Sequence, residues 1–353
     1  MPISSVRSCP FVAGPMITDP SRFVGRREEL ALLVRRMDGA QPTSVNVVGE
    51  RRMGKSSLLY HFFQTWEQRV SSPSRFVVVY LDLQAKTPPN EATFYQALGR
   101  ALARQPAVQR VESLRRSLLA PPRTYQDFSV LLEQFTDHVL LPVFCLDEFE
   151  VLLKSGEQFT DIFFDRLRGC MNASQLMFIL SSRRPLDVYA GEHDLTSAFF
   201  NLGHVVALGE FSEDEAEELV RLPVDGEPAL DGEKRQLALT WGGRHPYLLQ
   251  MAGLFLWEAR QGGKNNRWAK KRFEEQHARL KKEGVLTKPR SLKALLDGGL
   301  SALQKMAEAA VHGGKILLFL ILLALLVGVV YGVSTGQLTW SAAGDWLLKL
   351  IGK

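Results

Sequence analysis

At 353 residues the chain is longer than one hydrophobic core usually organises, so two soluble units with appendages are expected. Hydrophobic residues make up 46% and charged residues 23%, the composition of a globular protein to which one unusually apolar segment has been added. The net charge is +5, and thirteen Lys/Arg against five Asp/Glu between Lys264 and Lys315 more than account for it. Three scattered cysteines (Cys9, Cys145, Cys170) among apolar neighbours argue against a disulfide framework or a metal-binding pair and for buried thiols in a reducing compartment.

The first twenty residues carry no long apolar core of the kind that directs secretion, and they are read as an N-terminal extension. "SVNVVG" follows as a buried strand and "KSSLLYHFFQTW" as a helix with an apolar face. Between them Gly49, Glu50, Arg51, Arg52, Met53, Gly54, Lys55 and Ser56, with Ser57 behind, fill the pattern G-x-x-x-x-G-K-[ST]. Two glycines let the backbone curl so that successive N–H groups face an anion, and the helix N-terminus adds its dipole. Lys55 is expected on β- and γ-phosphate oxygens and Ser56 on Mg²⁺. A chance glycine-rich turn is the alternative, disfavoured by the strand–loop–helix context.

Further strands are expected near 76–82, 142–147, 176–181 and 203–208, beside the one near 44–49, alternating with helices. That is the pattern of a mostly parallel sheet with helices on both faces. The 142–147 strand ends in Asp147-Glu148. Asp147 can hold Mg²⁺ through water, and Glu148 can take a proton from attacking water; paired acids also begin ordinary solvated loops. The 176–181 strand leads into Arg183-Arg184, where Arg183, or Arg184 in its place, can sense a γ-phosphate. Helices near 213–222, 232–241 and 246–260 form a small helical unit, the first capped by Ser212 with Glu215 three residues on. Arg166 and Arg168 are candidates for an arginine finger acting on a neighbouring copy; helix arginines are more often only solubilising.

"DPSRFVGRREELALLVRRM", the phosphate loop, the Asp-Glu strand, "FFDRLRGCMNASQLMFILSSR", "LGEFSEDEAEELVRLP" and "WGGRHPYLLQMAGLFL" together resemble a P-loop ATPase of the AAA+/STAND type, nearest the archaeal-ATPase-like family of prokaryotes. The resemblance spans roughly residues 15–260. It implies a P-loop NTPase fold of class α/β with a small helical lid, and ATP with Mg²⁺ as ligands. Phe23, Val24, Gly25 and Arg26 resemble the box leading into the adenine pocket. Gly243, His245 and Pro246 resemble the lid turn, with His245 a candidate β-phosphate contact. Relatives often continue into a winged helix; after Gly263 this chain instead gives a basic helical stretch.

The run from Ile316 to Val333 is eighteen residues without a charge, and at ~1.5 Å per residue a helix of that length just crosses a bilayer core. It is therefore expected to be a transmembrane helix embedded in membrane lipids. Lys288, Arg290, Lys293, Lys305 and Lys315 precede it and only Lys349 and Lys353 follow. The positive-inside rule then places the ATPase in the cytoplasm, on a single-pass inner-membrane protein. Ala324, Gly328, Gly332 and Gly336 share one helix face and suit self-association. The tail, with Trp340 and Trp346, suits the far interface.

The expected organisation is an extension (1–20), ATPase core (21–210), lid (211–262), basic linker (263–315), membrane helix (316–335) and amphipathic tail (336–353). The expected function is a membrane-anchored ATPase switch, a homo-oligomer acting on an unidentified protein client in prokaryotic defence or signalling. The alternatives are a nucleotide-binding membrane scaffold with negligible turnover and a membrane-tethered DNA-handling ATPase. The second lacks a recognisable DNA-reading module, so nucleic acid is the disfavoured partner.

Overall fold

The computed structural model describes residues 8–85, 88–154, 158–201 and 204–285; the segment from Ile316 to Val333 and the tail beyond it lie outside them. Strands β1 (Val45–Val48), β2 (Phe76–Asp82), β3 (Leu141–Asp147), β4 (Met177–Ser182) and β5 (Val205–Ala207) form one parallel sheet in the order β2-β3-β4-β1-β5. Four of the five are near-continuous apolar runs, as strands covered on both faces must be. The period-two side-chain alternation divides them between two cores. Val77, Val79, Phe144, Leu146, Phe178 and Leu180 face one side; Val45, Val47, Val78, Val143, Cys145, Met177 and Ile179 face the other.

Helices α1 (Arg27–Met37) and α2 (Lys55–Thr65) cover the second face. The first is covered by α3 (Glu91–Ala103), α4 (Pro106–Gln109), α5 (Glu112–Ser117), α6 (Tyr125–Asp137), α7 (Glu150–Leu153), α8 (Asp161–Asn172) and α9 (Leu186–Glu192). That layer is dense in aromatic rings, including Phe94, Tyr95, Phe128, Phe163, Phe164 and Phe199, packed edge-on or offset as ring quadrupoles prefer. Asn90 with Thr93 and Thr124 with Asp127 cap α3 and α6 reciprocally. The helices between β2 and β3 are the part of the core that the sequence left unassigned.

A third core joins α10 (Glu213–Val220), α11 (Gly232–Gly242), α12 (Pro246–Gln261) and α13 (Asn266–Lys282). Phe11 and Val24, from far upstream, are buried in it. Among the described residues no helix is long and apolar enough to cross a membrane. The strands and the helices α10 to α12 begin and end within two residues of the stretches expected from the sequence. Of the three cysteines, Cys145 and Cys170 are buried, Cys9 is half-buried and all are free thiols.

Candidate functional site

The phosphate loop links β1 to α2 at the C-terminal edge of the sheet. Gly49 packs against the backbone of β5's end: a Cβ there would lie 2.8 Å from the Leu208 carbonyl oxygen. Gly54, at φ +90°, is the N-cap of α2, a left-handed position that glycine adopts without strain. Arg52 is also left-handed, at φ +68°. The opening N–H groups of α2 have no intrahelical carbonyl to bond, and no acidic residue occupies its first turn. Lys55 is buried, its Nζ donating to the carbonyls of Gly49 at 2.7 Å and Glu50 at 3.1 Å. Burial lowers its pKa, against the opposing pull of Glu150, Asp147 and Glu148. Ser56 is half-buried, and the Ser57 hydroxyl accepts the N–H of Ile17 at 3.1 Å.

Asp147 closes β3, fully buried. One of its oxygens accepts the Tyr80 hydroxyl at 3.1 Å; the other accepts the Ser181 hydroxyl and the Glu148 N–H, the latter at 3.2 Å. Three of roughly four carboxylate lone pairs are thus in use. The aspartate therefore fits a cation held through water better than direct bidentate coordination. Glu148 turns out of the strand at φ +53° and is anchored by its N–H on Ser181 Oγ at 2.9 Å. Burial, then the negative charges of Glu150 and Asp147, push its pKa up.

Sequence reasoning stopped at that acid pair and missed a third carboxylate. Glu150 is 1% exposed, and neither carboxylate oxygen has a hydrogen-bond partner. Its nearest cation is Arg183, with Nε 3.6 Å from Oε1. Arg184 instead makes a bidentate pair with Glu192, at 2.6 Å twice, and stacks on Tyr189, so it is committed outside the acid cluster. Arg166 pairs with Glu91 at 3.6 Å and lies over Tyr125, which ties it to its own chain; Arg168 is half-exposed on α8.

A cleft of about 480 Å³ opens from this edge, lined by Gly54, Lys55, Ser56 and Glu148 and by apolar walls from Met16, Phe23, Phe211 and Tyr247. Arg51, Arg52, Met53, Ser57, Val24, Arg26 and Pro246 also line it. Phe23 stacks on His61 with ring centres 4.0 Å apart. Arg26 is buried and left-handed; its guanidinium donates to the carbonyls of Met53 and Gly209, pairs with Glu29 and covers the Phe211 ring. Gly25, at φ +73°, leaves room for Glu215, whose Oε1 would stand 2.7 Å from a Cβ there. Gly243 ends α11 with φ +57°. His245 is the N-cap of α12, its Nδ1 buried without a partner and its pKa lowered by burial. It is absent from the cleft lining, where its neighbours Pro246 and Tyr247 stand.

The cleft's remaining wall is a strap, residues 8–17, which the sequence offered only as an extension. Phe11 packs against Gly253 of α12, the Val12 N–H donates to Gln250 Oε1 at 2.8 Å, and the Gly14 carbonyl accepts from Arg52. Its only sequence signal is the cluster of Phe11, Val12, Met16 and Ile17 ahead of the first helix.

Several solved structures share this architecture. The Walker-type ATPase PABY2304 of Pyrococcus abyssi aligns at 17% identity and TM-score 0.56, covering 98% of this chain and 88% of that one. The Aeropyrum pernix ORC2 protein, in its ADPNP–ADP complexes, aligns at 15% identity and TM-score 0.53, covering 75% and 70%. Drosophila ORC bound to DNA aligns at 14% and TM-score 0.50, covering 92% and 80%. These likenesses establish the fold. No curated protein matches the chain in sequence. The family model of the novel STAND NTPase 1 matches residues 16–275, the span holding the phosphate loop, the acid cluster and helices α10 to α12, and the chain belongs to that family.

Proposed function

We propose that the chain binds and hydrolyses ATP in the cleft, giving ADP and phosphate, and that nucleotide state sets the fit of a helical lid on the ATPase core. The observation that carries this is the joint lining of one cleft by Lys55 and Ser56 of the phosphate loop, Glu148 of the acid strand and Pro246 and Tyr247 of α12. The division of labour follows from chemistry. Lys55 neutralises charge on the β- and γ-phosphates, and backbone N–H groups at the start of α2 bind their oxygens. Glu148 orients the attacking water and accepts its proton, a role its raised pKa suits. Arg183 meets the charge that builds on the γ-phosphoryl group. Ser56 and, through water, Asp147 would hold Mg²⁺, which supplies further charge neutralisation when bound.

The same reading extends to the whole chain. The run from Ile316 to Val333 would anchor the protein in the cytoplasmic membrane, with the ATPase on the cytoplasmic side. Gly328 and Gly332 would pair copies within the bilayer, and assembly would engage a protein client in a signalling or defence response. What supports the anchor is an eighteen-residue uncharged run flanked on one side by five cations.

The test is phosphate release from ATP by detergent-purified protein beside Lys55→Ala and Glu148→Gln. Turnover lost in both variants, with ATP binding kept in Glu148→Gln, is the expected result. Binding without turnover in the wild type overturns the hydrolytic reading in favour of a nucleotide-binding scaffold. Extraction of the full chain from membranes by carbonate would sink the anchor.

A further inference from the structure

Gln250 lies on α12, 4% exposed, and also lines the cleft. Its amide orientation follows from its partner. The Val12 N–H can only donate, so the atom 2.8 Å away is the carbonyl oxygen Oε1. The other end, Nε2, is then a donor, and among the described residues it has no acceptor. A buried amide donor without a partner carries its full desolvation cost, so a ligand that satisfies it is favoured. The bond that the fold makes with this amide, from the Val12 N–H, uses only its carbonyl end, and the neighbouring buried positions of α12, Leu249, Met251 and Ala252, are apolar.

The surroundings say which kind of ligand. Met16, Phe23, Phe211 and Tyr247 give the cleft apolar and aromatic walls, suited to a planar ring system. Lys55 and Glu148 share the same cleft and answer to phosphates and water. A purine nucleotide is such a ligand, a planar ring with acceptor nitrogens on a phosphate chain, and adenine presents N1, N3 and N7 as acceptors. The strap fixes the donor in place. Phe11 fills the niche that Gly253 leaves open, and Val12 holds the far side of the amide, so the donor is preorganised before the base arrives.

We propose that Gln250 reads the nucleotide base, its Oε1 held by the Val12 N–H of the strap and its Nε2 donating to a ring nitrogen of adenine seated between strap and α12. This rests on the reading of the cleft as an ATP site. It makes Gln250 a specificity-determining residue, and it makes the strap part of the binding site rather than an appendage.

Gln250→Glu tests it closely, because the glutamate keeps an acceptor for Val12 N–H while turning the donor toward the base into an acceptor. Binding of ATP and of inorganic tripolyphosphate, which has no base, is measured on wild type and variant by calorimetry. The expected result is a loss of about tenfold or more for ATP with tripolyphosphate binding unchanged. Equal losses for both ligands, or no loss for ATP, overturn the proposal. In the wild type alone, a series of 1-deaza-, 3-deaza- and 7-deaza-ATP serves as the second arm, independent of whether the variant folds. One analogue is expected to bind about tenfold more weakly than ATP; if none does, the proposal fails. A wild type that binds neither ATP nor tripolyphosphate removes the ATP-site reading itself, and this inference with it. A wild type that binds ATP but is indifferent to all three analogues removes only the role of Gln250.

Discussion

Glu215 accepts the backbone N–H of Arg26, a residue 189 positions earlier in the chain. Its other oxygen accepts the N–H of Ser212 at 2.9 Å, closing the capping box of α10. One carboxylate therefore ties the Phe23–Arg26 stretch, which lines the cleft, to the first helix after β5. From the sequence Glu215 is a helix-start signal; the structure gives it a second, long-range bond. Hydrogen bonds to a charged acceptor contribute about 1.5–3 kcal/mol each, and a lost cap costs about 1 kcal/mol. Glu215→Ala is expected to lower unfolding free energy by ~2–4 kcal/mol in urea titrations and to weaken ATP binding. A loss no larger than that of an ordinary cap residue would show that the bond to Arg26 contributes nothing.

Gly25→Ala is the complementary change. A methyl group at that position meets the Glu215 carboxylate at 2.7 Å, and φ is +73°. Strain of ~1 kcal/mol for a left-handed alanine adds to displacement of the Glu215 side chain. The variant is expected to melt earlier than wild type, while Gly25→Ala combined with Glu215→Ala loses less than the two single losses added together. Full additivity in thermal melts would mean the two residues do not meet.

Arg183 and Glu150 are an unequal pair. Glu150 is buried with no hydrogen bond to either oxygen, while Arg183 is 29% exposed and 3.6 Å away. Removing the arginine leaves a fully buried carboxylate without its nearest cation; removing the carboxylate leaves a cation whose Nε is buried but whose side chain is partly exposed. Breaking buried pairs costs about 3–5 kcal/mol, and the partial exposure of Arg183 reduces this, since solvent screens such pairs. Arg183→Met is expected to cost ~1–2 kcal/mol more in stability than Glu150→Gln, and the double variant to recover part of that loss. Equal costs in chemical denaturation would refute the asymmetry.

On the proposed hydrolysis, the acid limb of the pH profile is expected to follow from Glu148. Burial comes first and the charges of Glu150 and Asp147 next in raising its pKa. A general base works only when deprotonated, so the rate falls as pH drops through this raised value, at a higher pH than an ordinary glutamate would give. Glu150→Gln removes one of the negative neighbours. It should move the midpoint of the acid limb downward, provided the kcat profile is followed at saturating ATP. A midpoint that stays put would detach Glu150 from the chemistry.

The parts of the fold that were legible are those where one local pattern decides the outcome. Apolar, β-branched runs such as "VNVV" and "FVVVYLD" read as strands covered on both faces, and the spacing of Gly49, Gly54, Lys55 and Ser56 dictates a loop before a helix. Arg183 and Arg184 are indistinguishable in sequence. Their difference arises because β4 ends at Ser182, so Arg183 meets Glu150 while Arg184 reaches Glu192 on α9. Glu150 was illegible because its burial depends on packing by α7 and α9, and Gln250 because it interrupts an apolar helix face as an ordinary polar residue would. The strap was illegible for a further reason: its anchors are tertiary, among them a phenylalanine in a glycine's niche, N–H groups on the distant side chains of Gln250 and Ser57, and a carbonyl on Arg52.

That niche gives the last prediction. A Cβ on Gly253 would come within 2.5 Å of the Phe11 ring, whose other near atoms are at 2.7 Å, closer than any real contact. Phe11 is itself buried in the core formed by α10 to α13, so the ring cannot yield without taking the strap with it. Overpacking of this kind costs about 1–3 kcal/mol. Gly253→Ala is expected to destabilise by that order, and proteolysis should cut the strap sooner in the variant than in wild type. Because Val12 is the residue after Phe11, displacing the ring also pulls its N–H from Gln250, so ATP affinity should fall. Phe11→Ala in the Gly253→Ala background separates the two effects: the clash is gone, and stability should recover toward that of Phe11→Ala alone. If Gly253→Ala melts and binds as wild type does, the strap is not held by this contact.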